Sequence, residues 1–219
     1  MQNKKIVHRE VPDNINLPDL IHPVLKRVYA SRNIKSSKDL DYSLSSLIPF
    51  EELSGISDAV ILLQEMLEQK KRILIVADFD ADGATSCALA IRGLTAMGAE
   101  DVIYVVPNRF EHGYGLSPEI VNVALDYDPD LIVTVDNGIS SICGVEYARK
   151  NGVKVLITDH HLPGKELPKA DVIINPQLAD DRFPSKNLAG VGVIFYILLA
   201  LRAKLKEEYW FENNNIDYP

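Results

Sequence analysis

From Lys71 onward the chain alternates short, continuous apolar runs with stretches of helical pattern, and this restricts the fold more than any other feature. The runs are "RILIVA" (72–77), "DVIYVV" (101–106), "LIVTV" (131–135), "VKVLIT" (153–158) and "DVIIN" (171–175). Runs without polar alternation are strands covered on both faces, the condition of a parallel sheet between helical layers. Between and after them lie the helical stretches 83–98, 117–127, 141–152 and 187–208, the second with Ser117 as cap and Pro118 at its first position. The expectation is a doubly wound, mainly parallel α/β domain over residues 71–219, incomplete at its C-terminal end. Residues 1–70 read as a small helical cap. Its "SDAVILLQEMLEQKK" (57–71) opens on a Ser–Asp cap and ends in lysines, and the final "FENNNIDYP" (211–219) reads as loop.

Composition narrows the setting. Hydrophobic residues make up 47% of 219, enough for a packed core. No apolar run reaches the length of a bilayer span, and the N-terminus lacks the apolar block of a signal peptide. Cys87 and Cys143 lie in apolar helical patterns without CxxC spacing, so both read as buried free thiols in a reducing cytoplasm. The net charge of −8 argues against a broad nucleic-acid surface, although a carboxylate-rich metal site adds to the same sign.

The polar residues that close the apolar runs carry the chemistry. The first run ends in Asp78-Phe79-Asp80-Ala81-Asp82, the second in Pro107-Asn108-Arg109, the third in Asp136-Asn137-Gly138, the fourth in Asp159-His160-His161 and the fifth in Asn175-Pro176. Ligands of open parallel sheets bind beyond the carboxyl ends of the strands, so these groups are expected to converge at one edge. Carboxylates and imidazoles without cysteine suit Mg²⁺ or Mn²⁺, and crowded aspartates need cations to neutralise them. The oxygens suffice for two ions, the device that hydrolyses phosphoesters.

Three other readings fit less well. As a calcium loop starting at Asp78, the segment has Leu89 where a bidentate Glu belongs, and it follows a strand rather than a helix. A phosphatase of the haloacid-dehalogenase type would use Asp78 and Asp80 but leaves Asp159-His160-His161 unexplained. The glycines of "AGVGV" (189–193) do not follow a predicted strand, so a dinucleotide-binding turn is a weak match. His8, His22 and His112 show no partner pattern, and Tyr114 is as suited to packing as to stacking on a base.

Together, "VADFDADGATS", "LIVTVDNGISS", "TDHHLPG", "IINPQ" and "LAGVGVIFYILLALR" resemble the signature motifs of the DHH phosphoesterase superfamily. "VPNRFEHGYGLSP", "VYASRNIKSS" and "LIPFEELSGI" are similar to those of its RecJ-type single-stranded-DNA exonucleases. The resemblance implies a 5′→3′ exonuclease of DNA repair and recombination that depends on two Mn²⁺ or Mg²⁺ ions. Its implied metal ligands are Asp80, Asp82, Asp136 and His160, with Asp78 as a further ligand or near neighbour. His161 would contact the scissile phosphate, and Asp159 would orient the histidines from behind. Arg109, Asn137, Gly190 and Gly192 would lie on the phosphate and DNA side. Implied partners are single-stranded DNA, a single-stranded-DNA-binding protein and a helicase, with no membrane.

The family pattern also has a later aspartate and downstream domains, which the 219 residues lack. The chain is therefore expected to be an N-terminal part with little or no nuclease activity alone. The alternatives are a DHH enzyme acting on short oligonucleotides, cyclic dinucleotides or pyrophosphate, and a non-catalytic scaffold of a repair complex. The RecJ-like N-terminal region and the intact motif residues argue against both.

Overall fold

The computed structural model describes residues 5–12, 16–107 and 115–219, and Arg109, His112 and Tyr114 lie outside them. The chain divides into two compact units, residues 1–48 and 49–219.

In the first unit the helix α1 (Pro23–Ala30) starts where expected of a helical proline: Pro23 needs no backbone donor in the first turn, and His22 Nδ1 accepts from Val24 N at 3.2 Å. One-turn 3₁₀ segments follow at Ser37–Leu40 and Leu44–Ser46, the first closed by the Asp39 carboxylate, which accepts from Lys35 N and Ser36 N. Leu17 and Ala30 are its buried apolar residues among those described.

The second unit opens on the 3₁₀ turn Phe50–Glu52 and helix α2 (Ile56–Glu68), so α2 belongs with the sheet rather than with the first unit. The Ser57–Asp58 pair predicted to cap α2 lies inside its first turn. The cap is Gly55, whose φ of 78° bends the incoming chain as a Cβ-bearing residue resists doing.

The five predicted strands all form: β1 (Ile73–Ala77), β2 (Val102–Val105), β3 (Leu131–Val135), β4 (Lys154–Thr158) and β5 (Val172–Ile174). They pair in parallel in the order β2-β1-β3-β4-β5. The order reverses between β1 and β3, and that is where an open α/β sheet leaves a crevice. Helices α3 (Ala81–Ala96), α4 (Pro118–Leu125), α5 (Ile142–Lys150) and α6 (Gly190–Glu207) complete the layers. On one face, Leu74, Val76, Ile132, Val155 and Ile157 pack against Ile120 and Val121 of α4 and Val145 and Ala148 of α5. The other layer is α2, α3 and α6, with α6 packed against both α2 and α3.

Two local expectations are corrected. The C-terminal stretch read as loop contains a short helix, α7 (Trp210–Asn213), whose Trp210 Nε1 donates to Met97 O at 2.9 Å. Cys87 is buried as expected, but Cys143, in the first turn of α5, is exposed.

Candidate metal centre

The strand register builds the site. Ala77 lies opposite Val135, Val135 opposite Thr158, and Thr158 opposite Ile174, so four strands end level with one another. The next residue of each is Asp78, Asp136, Asp159 and Asn175, a row of polar side chains along one edge. All four are buried.

Beyond β1 the chain turns directly into α3. Asp80 is the N-cap, its Oδ1 accepting from Asp82 N at 2.9 Å and Gly83 N at 3.0 Å, which points the helix N-terminus at the site. Asp82 reaches across to α6: its Oδ2 accepts from Gly190 N at 2.7 Å and its Oδ1 from Val191 N at 2.8 Å. A carboxylate on the first-turn amides of an 18-residue helix gains from the positive end of the helix dipole. Gly190 is fitted to this spot, because a Cβ there would lie 2.6 Å from Asp136 Oδ1. A Cβ on Gly192 would instead meet the side chain of Leu188, away from the acids.

Asp136 takes the left-handed backbone conformation, φ 61°, unusual for a residue with a side chain. It is 2% exposed, and its Oδ1 lies 3.0 Å from His160 Nε2, which is also 3.6 Å from Asp82 Oδ2. Burial, and then the negative charges of Asp82 and Asp80, push the Asp136 carboxyl up to about 7.

Asp159 organises the histidines from below. Its Oδ1 accepts from the backbone N–H of His160 (2.7 Å) and His161 (3.0 Å) and lies 2.7 Å from His161 Nδ1. Its Oδ2 accepts from Ile139 N at 2.9 Å. With Nδ1 engaged, His161 is left with Nε2 for a ligand. Burial works against the His161 imidazolium, but the bond to Asp159 and the nearby carboxylates outweigh it, and its pKa is raised. Asn175 Nδ2 donates to His161 O at 2.9 Å, a support to which the sequence reading gave no role.

One donor atom from each of Asp78, Asp80 and Asp136 lies within 4.8 Å of the others, and the same holds for Asp136, His160 and His161. The two groups share Asp136. Carboxylate oxygens and imidazole nitrogens without thiolate, buried and crowded enough to raise one acid to about 7, fit hard divalent cations. Of the sequence-predicted residues, Asp78, Asp80, Asp136, His160 and His161 are thus gathered. Asp82 sits beside His160 on the α6 amides, Gly190 backs Asp136, and Gly192 stands apart. Arg109 is outside the described residues.

Comparison with known proteins gives a consistent picture. Residues 72–217 match the DHH family, N-terminal domain. The single-stranded-DNA-specific exonuclease RecJ of Escherichia coli (strain K12) is 50% identical over 218 residues, which cover 100% of this chain and 38% of that protein. The RecJ of Thermus thermophilus is 40% identical over 185 residues, 84% of this chain and 26% of that one. Among solved structures, RecJ from Thermus thermophilus in complex with Mn²⁺ superposes with a TM-score of 0.68 at 35% identity, covering 89% of this chain and 30% of that chain. An exonuclease RecJ bound to manganese superposes with a TM-score of 0.64 at 42% identity, over 70% of this chain and 38% of that one.

Proposed function

The chain belongs to the DHH family, and we propose that it carries the metal-binding part of a 5′→3′ exonuclease acting on single-stranded DNA in repair and recombination. The observation that supports this most is the double group of donors sharing Asp136 at the switch point of the sheet. The chain spans 35–38% of the length of the RecJ relatives it matches at 50% identity, so activity and substrate belong to this proposal. A single-stranded-DNA-binding protein and a helicase are the partners that suit the role, and the cytoplasm is its setting. No helix among the described residues is long and apolar enough to cross a membrane.

Asp78, Asp80, Asp136, His160 and His161 would hold Mn²⁺ or Mg²⁺, with Asp82 next to them. When bound, two such ions would lower the pKa of water at the site and offset charge on phosphoryl oxygens. The chain's own residues prepare the rest. Asp159 engages Nδ1 of His161 and so orients the ring, leaving Nε2 available to a cation. The α6 amides hold Asp82 so that its charge stays at the site, and burial excludes water around Asp136.

The test uses Asp80→Ala and His160→Ala in the full-length gene product. Mn²⁺-dependent release of nucleotides from single-stranded DNA should fall by roughly 10³-fold or more, with DNA affinity in the absence of divalent ions unchanged. Full activity in both variants would overturn the metal assignment.

A further inference from the structure

Asn137 follows Asp136 directly, yet its side chain faces inward. It is 1% exposed, and Nδ2 donates to two backbone carbonyls on neighbouring strands, Val76 O at 3.0 Å and Val135 O at 2.9 Å. Val76 is two residues before Asp78, and Val135 immediately precedes Asp136. The amide therefore ties the ends of β1 and β3 together where the connections of the two strands diverge. Val135 O also accepts from Asp78 N, at a longer 3.3 Å, so the side chain reinforces the last rung of the ladder.

The rest of the turn is built around the same residue. Thr134 Oγ1 donates to Asn137 O at 2.7 Å, and Thr158 Oγ1 donates to Thr134 O at 2.8 Å, all of it buried. These bonds hold Asp136 in its left-handed conformation between two buried, hydrogen-bonded residues. Asn137 Oδ1 is buried with no hydrogen-bond partner among the described residues, so the two donated bonds alone fix the amide's orientation.

From this we infer that Asn137 is a positioning residue: it sets the separation between the acids of β1, Asp78 and Asp80, and Asp136 of β3, and hence the fit of the site to its cations. A group with both donors spent on backbone and 1% exposure is not offered to a substrate phosphate. The inference rests on the metal-dependent reading above. It goes beyond that reading by making the ion affinity depend on a residue that touches no ion.

The experiment compares wild type with Asn137→Ala and Asn137→Ser in the 219-residue chain. Mn²⁺ binding is followed by electron paramagnetic resonance, and the ring signals of His160 by NMR without metal. Asn137→Ala should weaken Mn²⁺ binding about tenfold or more and move the His160 signals, while the circular-dichroism spectrum stays native. Asn137→Ser keeps one donor, so it should fall between the two and covers the case in which the alanine variant does not fold. In the full-length gene product, higher Mn²⁺ should restore hydrolysis by Asn137→Ala, with the KM for single-stranded DNA unchanged. Mn²⁺ affinity and His160 signals indistinguishable from wild type would overturn the inference. So would weaker DNA binding at unchanged Mn²⁺ affinity, which is the mark of a phosphate contact. Failure of the full-length gene product to bind Mn²⁺ would overturn the metal reading itself, whereas the His160 signals test the strap without it.

Discussion

Asp136 combines three unfavourable conditions: burial, a left-handed backbone and two acidic neighbours. Its carboxyl titrates at about 7 in the fold and near about 3.9 in an unfolded chain, so the folded state holds the proton more tightly. That contribution to stability is complete below about pH 4 and is lost as the pH rises through about 7. Asp136→Asn should therefore stabilise the metal-free chain at about pH 8, on the order of 2 kcal/mol or about 4–8 °C in Tm, and give no gain at about pH 4. Thermal melts in a chelator at the two pH values check this. Gly190 gives a second expectation. Gly190→Ala forces a methyl to 2.6 Å from Asp136 Oδ1 and should destabilise by about 1–3 kcal/mol and weaken Mn²⁺ binding. Gly192→Ala meets only the movable side chain of Leu188 and should leave Mn²⁺ binding intact, as calorimetric titration of both variants will show. The acids and histidines were legible in the sequence because polar residues closing apolar runs leave few other readings. The clasp of Asp82 by amides 108 and 109 positions away, and the inward turn of the Asn137 amide, had no local signal.

Among elements, the strands were the easiest to read, since both their length and their lack of alternation follow from burial on two faces. That their polar ends meet at one edge was legible from the parallel arrangement, but the register that sets Ala77, Val135, Thr158 and Ile174 level with one another was not, because it depends on pairing between distant segments. The two misplaced helical features share a cause. Gly55 starts α2 because the preceding turn demands a positive φ, and α7 forms in an Asn-rich stretch of poor propensity because Phe211 is buried and Trp210 bonds to the end of α3. The loop after β4 depends on one side chain. Asp159→Ala strips the acceptor from Ile139 N, His160 N, His161 N and His161 Nδ1, and should cost about 2–4 kcal/mol. It should also lower the His161 pKa, because a bond and a charge that raise it are removed while the opposing burial remains. Denaturant unfolding and an NMR pH titration measure the two effects.

For the whole molecule, stability is unevenly shared. Residues 49–219 contain the sheet, both helical layers and nearly every buried apolar side chain described, whereas residues 1–48 bury Leu17 and Ala30. The piece 49–219 is expected to unfold cooperatively within a few degrees of the 219-residue chain, and a peptide of residues 1–48 to show no cooperative transition. Calorimetry of the two pieces tests this. Within the larger unit the core and the site pull in opposite directions. Two-sided burial draws the strands together, while the acids at their ends repel across the same crevice. A cation that settles among those acids removes the repulsion and binds the folded state alone, so every ion taken up counts as folding free energy. Divalent ions are therefore expected to protect the chain as well as to complete its site: digestion by a protease should be slower in Mn²⁺ than in a chelator, and equal rates would show that the ions add nothing to folding.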